Sequence, residues 1–174
     1  GIACAILILL YVKDELTFDR HSPDYQRVYR IESDFNISGK NTVAGLVPMP
    51  MAPTLRDEYP DIETYARFAG FGINDVLFEY GDLKFFEDNI YFTDSTVFDI
   101  FNYKFVLGSP EGALTEPNTI VITESFASKY FGKKNPMGEE LKSSNFGNFR
   151  VTGVIEDVPS NSHLKFDCLL SMAT

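Results

Sequence analysis

The feature that most constrains this chain is an uncharged, apolar run at its start, the eleven residues Ile2 to Val12, which passes directly into Lys13, Asp14 and Glu15. At about 1.5 Å per helical residue the run spans roughly 17 Å, little more than half of a ~30 Å hydrocarbon core. It is too short to cross a bilayer alone. It is also more uniformly apolar than the one-sided stripe of a helix lying on a soluble domain, which weakens the alternative of a buried core helix. A signal-peptide core would follow a basic segment and precede a small-x-small cleavage site, and neither is present. Tyr11-Val12-Lys13-Asp14-Glu15 reads as a membrane exit, an interfacial tyrosine followed by charges. The chain also opens on Gly1. The expectation is therefore an internal fragment, with residues 1–16 the outer end of a transmembrane helix and 17–174 the domain it leads into.

Composition bounds what that domain can be. The 174 residues suffice for one well-buried core or two small lobes sharing a sheet. Sixteen Phe and nine Tyr with no Trp suit strands better than helices. A formal net charge of −10, with Lys13, Arg20, Arg27 and Arg30 interleaved with acids, repels a polyanion, so nucleic acid is excluded as a partner. Two cysteines make no disulfide framework; Cys4 in the apolar run and Cys168 in a strand pattern read as buried small hydrophobes.

Along the chain, Arg27 to Ser38 alternates, with Tyr29, Ile31, Phe35 and Ile37 on one face of an expected half-buried strand, and Ser38 to Asn41 as a turn. Pro48 to Pro53 opens a helix in which Met51, Leu55 and Tyr59 recur every four residues until Pro60. Strands are expected over 65–71, 76–80 and 84–92, with Asn74-Asp75 and Gly81-Asp82 as hairpin signals. Asp94 or Ser95 can cap a short helix burying Val97, Phe98 and Phe101, and Gly108-Ser109-Pro110 reads as a loop. A β-branched strand over 118–123 precedes a helix capped by Thr123, whose face is Phe126, Ala127, Tyr130 and Phe131 and whose stop is Gly132. The strand 149–155 places Phe149, Val151 and Ile155 together, and a last strand points Leu164, Phe166, Cys168 and Leu170 inward. Many short strands with about three short helices, neither all-β nor regularly βαβ, give an α+β fold.

No constellation for catalysis emerges. His21 and His163 sit in polar turns without ligands at metal spacing. Ser125 has no nucleophile-elbow context, and Cys168 points inward. Gly132-Lys133-Lys134 and the segment 108–112 lack phosphate-loop spacing, so the chain should not bind ATP itself. Asp57/Glu58 and Glu139/Glu140 read as solvated faces. No catalytic, cofactor-binding or metal-ligating residue is expected, and the chain reads as no enzyme.

One family matches the order of segments. The exit Tyr11 to Arg20, the strand Arg27 to Ile31, the stretch Pro50 to Leu55 with Glu58-Tyr59-Pro60, and Val121 to Gly132 all contribute. Asn135 to Gly138, Val151 to Val154, Asp157-Val158-Pro159 and Asn161 to Asp167 complete the series. Together they resemble the MacB-like periplasmic core domain of FtsX/MacB-type ABC transporter permeases. The linker from His21 to Gln26 departs from the aromatic-then-His order of the resemblance. What the resemblance implies is an extracytoplasmic, two-lobed domain facing the periplasm from the bacterial inner membrane. Its membrane-near lobe would take about 25–95 and 155–174, its inserted outer lobe about 96–154, and it would continue past Thr174. The implied partners are a cytoplasmic ATP-binding subunit, a second copy in a homodimer or pseudo-dimer, and a periplasmic adaptor or cargo. The implied work passes ATP-driven movement of the membrane helices to efflux, lipoprotein or peptide handling. A membrane-anchored sensor or ligand-binding domain is the alternative.

Overall fold

The structure, a computed structural model, describes residues 2–16, 24–70 and 73–174. Helix α1 takes Ile2–Leu16. After a 3₁₀ turn at Tyr25–Arg27 come strands β1 (Ser33–Ile37) and β2 (Lys40–Ala44), helix α2 (Met51–Glu58), and strands β3 (Phe68–Ala69), β4 (Val76–Tyr80), β5 (Leu83–Glu87) and β6 (Ile90–Thr93). Then follow α3 (Val97–Ile100), β7 (Phe105–Gly108), β8 (Thr119–Thr123), α4 (Glu124–Phe131), β9 (Glu140–Ser143), β10 (Gly147–Ile155) and β11 (Cys168–Ser171). The fold is α+β, as the sequence indicates.

A nine-stranded mixed sheet forms the body, in the order β3-β6-β11-β8-β10-β9-β4-β5, with β7 also on β10. Strand β8 is parallel to β10 and antiparallel to β11, which in turn is parallel to β6. Its central position explains the run Thr119-Ile120-Val121-Ile122-Thr123, buried at every residue and therefore apolar or hydroxylic on both faces. On one face α4 lays Phe126, Tyr130 and Phe131 against Phe78, Ile120, Ile122, Phe149, Val151 and Leu170. The helix forms where the sequence predicts it: the Thr123 hydroxyl accepts from the Phe126 N–H at 3.3 Å, and Gly132 ends it at φ 58°. The opposite face carries α3 and the loops around it, with Val97, Phe98, Leu114, Phe166 and Leu169 over Val121 and Ile155.

That second core corrects two expectations. Ile155 does not share a face with Phe149 and Val151, because the β10 register shifts between Val151 and Gly153 and reverses the alternation. Leu164 and Phe166 likewise pack on the other side of the sheet from Cys168 and Leu170; β11 begins only at Cys168, and the residues before it approach from the loop side.

The segment 84–92 is not one strand. It breaks at Asp88-Asn89, where the Asp88 carboxylate accepts from the Asp75 N–H (2.8 Å) and the Asn89 amide donates to Asp167 (3.0 Å). The two halves part to opposite ends of the sheet, β5 on β4 and β6 on β11. Gly81-Asp82 makes the expected hairpin, whereas Asn74-Asp75 joins none, since β3 pairs with β6 and not β4. The expected strand 65–71 is reduced to two residues, and β7, which the sequence reading does not include, runs up to the loop expected at Gly108-Ser109-Pro110.

The greatest departure lies at the front of the chain. Residues 28–32 belong to no strand, and β1 begins only at Ser33. β1 and β2 pair with each other alone, through a tight turn whose Ser38 and Gly39 both have positive φ (53° and 82°). Among the described residues no second layer covers this segment, and Tyr29 stands 84% exposed and Ile31 40% instead of facing a core. In α2 it is Ala52 that is buried; Met51 and Leu55 are half-buried, and Tyr59 lies past the helix end, exposed.

Candidate functional site

Helix α1 is the first candidate, because it is the element whose side chains the fold leaves uncovered. The Ile, Leu and Ala run contains no Gly or Pro to interrupt a helix. Successive residues Leu7, Ile8, Leu9 and Leu10 are 66, 62, 67 and 57% exposed, and at about 100° per residue four positions sample the whole circumference. Among the described residues, no side of α1 is turned to the protein. Ile2, Ile6, Leu7, Ile8, Leu9, Leu10, Val12 and Leu16 all stand open. Covering one such side chain is worth about 1.5–3 kcal/mol, so covering them all rivals the ~5–15 kcal/mol stability of a whole domain. An apolar environment must take this helix up. Among the described residues, no helix is long and apolar enough to cross a membrane. The exit side chains Lys13 to Glu15 and the junction Thr17 to Arg20, with the turn expected at Ser22-Pro23, lie outside the described residues.

Two clefts on the described surface of the body are further candidates. The larger, about 590 Å³, runs between the segment 56–67 and the sheet end at Thr93, Asp94 and Met172. Its side is built by Arg67, whose Nε and NH2 groups donate to the Asp94 carboxylate at 2.9 and 2.5 Å, while the Arg67 backbone N–H donates to the same group at 2.9 Å. This pair is mostly buried, and the hydrogen bonds to Asp94 hold the Arg67 guanidinium above its ordinary pKa. The sequence reading offered Asp94 as a helix cap; the structure gives it to Arg67 instead, and α3 has no side-chain cap.

The smaller cleft, about 330 Å³, contains Ser125, Asp157, Lys165 and Asp167. Ser125 is held there as a helix-start residue. The Asp157 carboxylate accepts from the Ser125 N–H (2.9 Å) and hydroxyl (2.5 Å), which satisfies an unpaired donor of α4 from a distant loop. Burial pushes the Asp157 carboxyl up, but the hydrogen bonds from Ser125 and Thr123 outweigh it and leave it below the ordinary carboxylate range. With its hydroxyl donated to a carboxylate, and no imidazole set against it among the described residues, Ser125 is not arranged as a nucleophile. Cys168 is fully buried, and desolvation pushes its thiol well up. Cys4 is exposed, contrary to expectation, and both cysteines are free. His163 is exposed in a turn, and His21 lies outside the described residues. Among the described residues no group of three or more His, Cys, Asp or Glu could hold a metal.

Two further interactions carry no local sequence signal. Arg67 and Asp94 stand 27 residues apart. Glu87, 6% exposed, accepts from the Tyr130 hydroxyl (2.7 Å) and the Lys129 ammonium (2.8 Å), 43 and 42 residues away. The first arises from the pairing of β3 with β6, and the second from the meeting of β5 with α4, which no short window of sequence records.

The profile of the MacB-like periplasmic core domain matches residues 1–174. The chain belongs to this family. It is a family of periplasmic domains and not of enzymes. No curated protein matches the chain at a significant level. Among solved structures it is similar to a domain assigned to a permease protein from Porphyromonas gingivalis (24% identity, TM-score 0.63), over 78% of this chain and 60% of that one. It is also similar to the periplasmic region of MacB from Actinobacillus actinomycetemcomitans (18% identity, TM-score 0.46), over 69% of this chain and 55% of that one. A further likeness is to the extracellular domain of the noncanonic ABC-type transporter YknZ from Gram-positive bacteria (16% identity, TM-score 0.42; 60% of this chain, 49% of that one). The chain thus spans less than two thirds of each of these structures. The first of them shares the fold of this MacB-like domain.

Proposed function

We propose that this MacB-like domain is the extracytoplasmic part of an ABC transporter permease in the bacterial inner membrane. In this reading α1 is the outer end of a transmembrane helix, and the domain stands in the periplasm. The observation that carries the membrane side of the reading is α1 itself, apolar and uncovered all round its circumference. Family membership over the whole chain supports the rest. The ATP-binding subunit works from the cytoplasm, the permease acts as a homodimer or pseudo-dimer, and the domain passes movement of the membrane helices to periplasmic cargo or an adaptor. Chemistry at a catalytic centre plays no part, in keeping with Ser125 and Asp157 being engaged in holding the start of α4.

The structural requirement for such a lever is a stiff path from α1 into β1 and β2. A multi-glycine insertion at Thr17 breaks that path without touching the nine-stranded sheet. In the full-length permease assembled with its ATPase, ATP turnover is expected to change amide hydrogen exchange over residues 33–44. The insertion should abolish that change while assembly and ATP hydrolysis persist. An undiminished response in the insertion variant would contradict transmission through this segment.

A further inference from the structure

The unit formed by residues 24–58 is only lightly attached to the body of the fold. Its two strands pair with each other and with no strand of the large sheet. Arginine side chains provide the side-chain hydrogen bonds described between this unit and residues past 60. Arg27 pairs with Glu63, and Arg56 Nε donates to the Glu63 carbonyl oxygen at 3.3 Å. Arg67 NH1 donates to the Met49 carbonyl oxygen at 3.3 Å, two residues before α2 begins.

These ties are not equal. The Arg27 and Glu63 side chains are 65 and 70% exposed, and an ion pair so open to water contributes little. Arg67 and Asp94 are 25 and 15% exposed, and their bond is bidentate, which restricts the guanidinium to one plane and orientation. The remaining NH1 of that fixed group reaches Met49. One planar group therefore touches both the residue after β6 in the large sheet and the chain leading into α2. A second bond nearby, from the Thr96 hydroxyl to the Tyr65 carbonyl oxygen (2.5 Å), fastens the Arg67 backbone region to the start of α3 and leaves the guanidinium as the part that reaches across to α2.

We propose that Arg67 is a positioning residue, the joint through which displacement of the 24–58 unit reaches the large sheet. The inference rests on the transmitting function proposed above. It assigns the coupling to a side chain and not to the backbone path, because the chain between Glu58 and β3 is irregular save for its turn at Pro60-Asp61 and forms no ladder that would carry load.

Arg67→Lys tests this in the full-length permease with its ATPase. A lysine keeps the charge opposite Asp94 but, as a single ammonium, cannot hold both carboxylate oxygens and the Met49 carbonyl at once. The amides of α2, such as Thr54 bonded to Pro50 and Tyr59 bonded to Leu55, are expected to exchange about five- to tenfold faster. Amides of β8 and β10 should be unchanged. During ATP turnover, the wild type should show altered exchange at both 33–58 and 90–93, and the variant at 33–58 only. Arg67→Gln serves as a second variant that loses the charge as well and should show the same separation. A variant response at 90–93 equal to wild type overturns the proposal, as does exchange that rises uniformly through β8 and β10. If the wild type shows no response to ATP in either region, the transmitting function fails instead. The basal exchange of α2 still judges the tie in that case, and unaltered α2 exchange in Arg67→Lys refutes it.

Discussion

At the scale of single residues, two carboxylates that tie distant segments together, the buried Glu87 and the exposed Asp157, give predictions in stability and in pH. Glu87 is held in the interior by the Tyr130 hydroxyl and the Lys129 ammonium, and burial together with Glu87 pushes the Tyr130 pKa strongly up. Removing one donor leaves the carboxylate short of a partner in a place water does not reach. Tyr130→Phe should therefore cost about 1–3 kcal/mol of stability by denaturant titration, although the ring and its packing on Phe126 remain. Asp157 makes a prediction in pH. Its folded pKa lies below the unfolded value, so its contribution is complete above roughly pH 4 and is lost as the pH falls through the depressed value. Asp157→Ala should cost about 1 kcal/mol at neutral pH, as for a lost helix cap, and should show less further loss in acid than the wild type. Equal acid sensitivity in the two proteins would assign the acid response to other groups.

At the scale of elements, the outcome depended on whether an element is specified within itself or by its neighbours. Helix α4 was legible in every part, because its cap Thr123, its face Phe126-Tyr130-Phe131 and its stop Gly132 are local. The β4–β5 hairpin was legible from Gly81-Asp82, whose turn chemistry needs no tertiary help. The alternation of Arg27 to Ile37 misled, since a pattern of period two says that a strand can bury one face but not that anything will cover it. The shift in β10 was hidden for a related reason. Val151, Gly153, Val154 and Ile155 are apolar or small on both faces, so no polarity change marks where the alternation reverses. Glycine at 153 is instead required by contact, as a Cβ there would stand 2.6 Å from the Phe105 ring. Arg67 and Asp94 carry no periodic signature at all, and only the fold brings them together.

At the scale of the whole molecule, the nine-stranded sheet holds the two cores, and the front of the chain carries the function proposed above. The body closes over its own apolar groups on both faces. Helix α1 does the opposite, and its placement in a bilayer is the claim on which the function stands. Cys4 lies inside the apolar run, and Cys168 is fully buried and serves as an unreactive internal reference. Ser160 sits exposed in a turn on the body. The direct measurement is labelling of the full-length protein in intact spheroplasts with a membrane-impermeant maleimide, using the natural Cys4 and a Ser160→Cys variant. Ser160→Cys should label from the outside, whereas Cys4 should stay protected until detergent dissolves the membrane. Ready labelling of Cys4 in the intact membrane, or failure of Ser160→Cys to label from outside, would contradict the account.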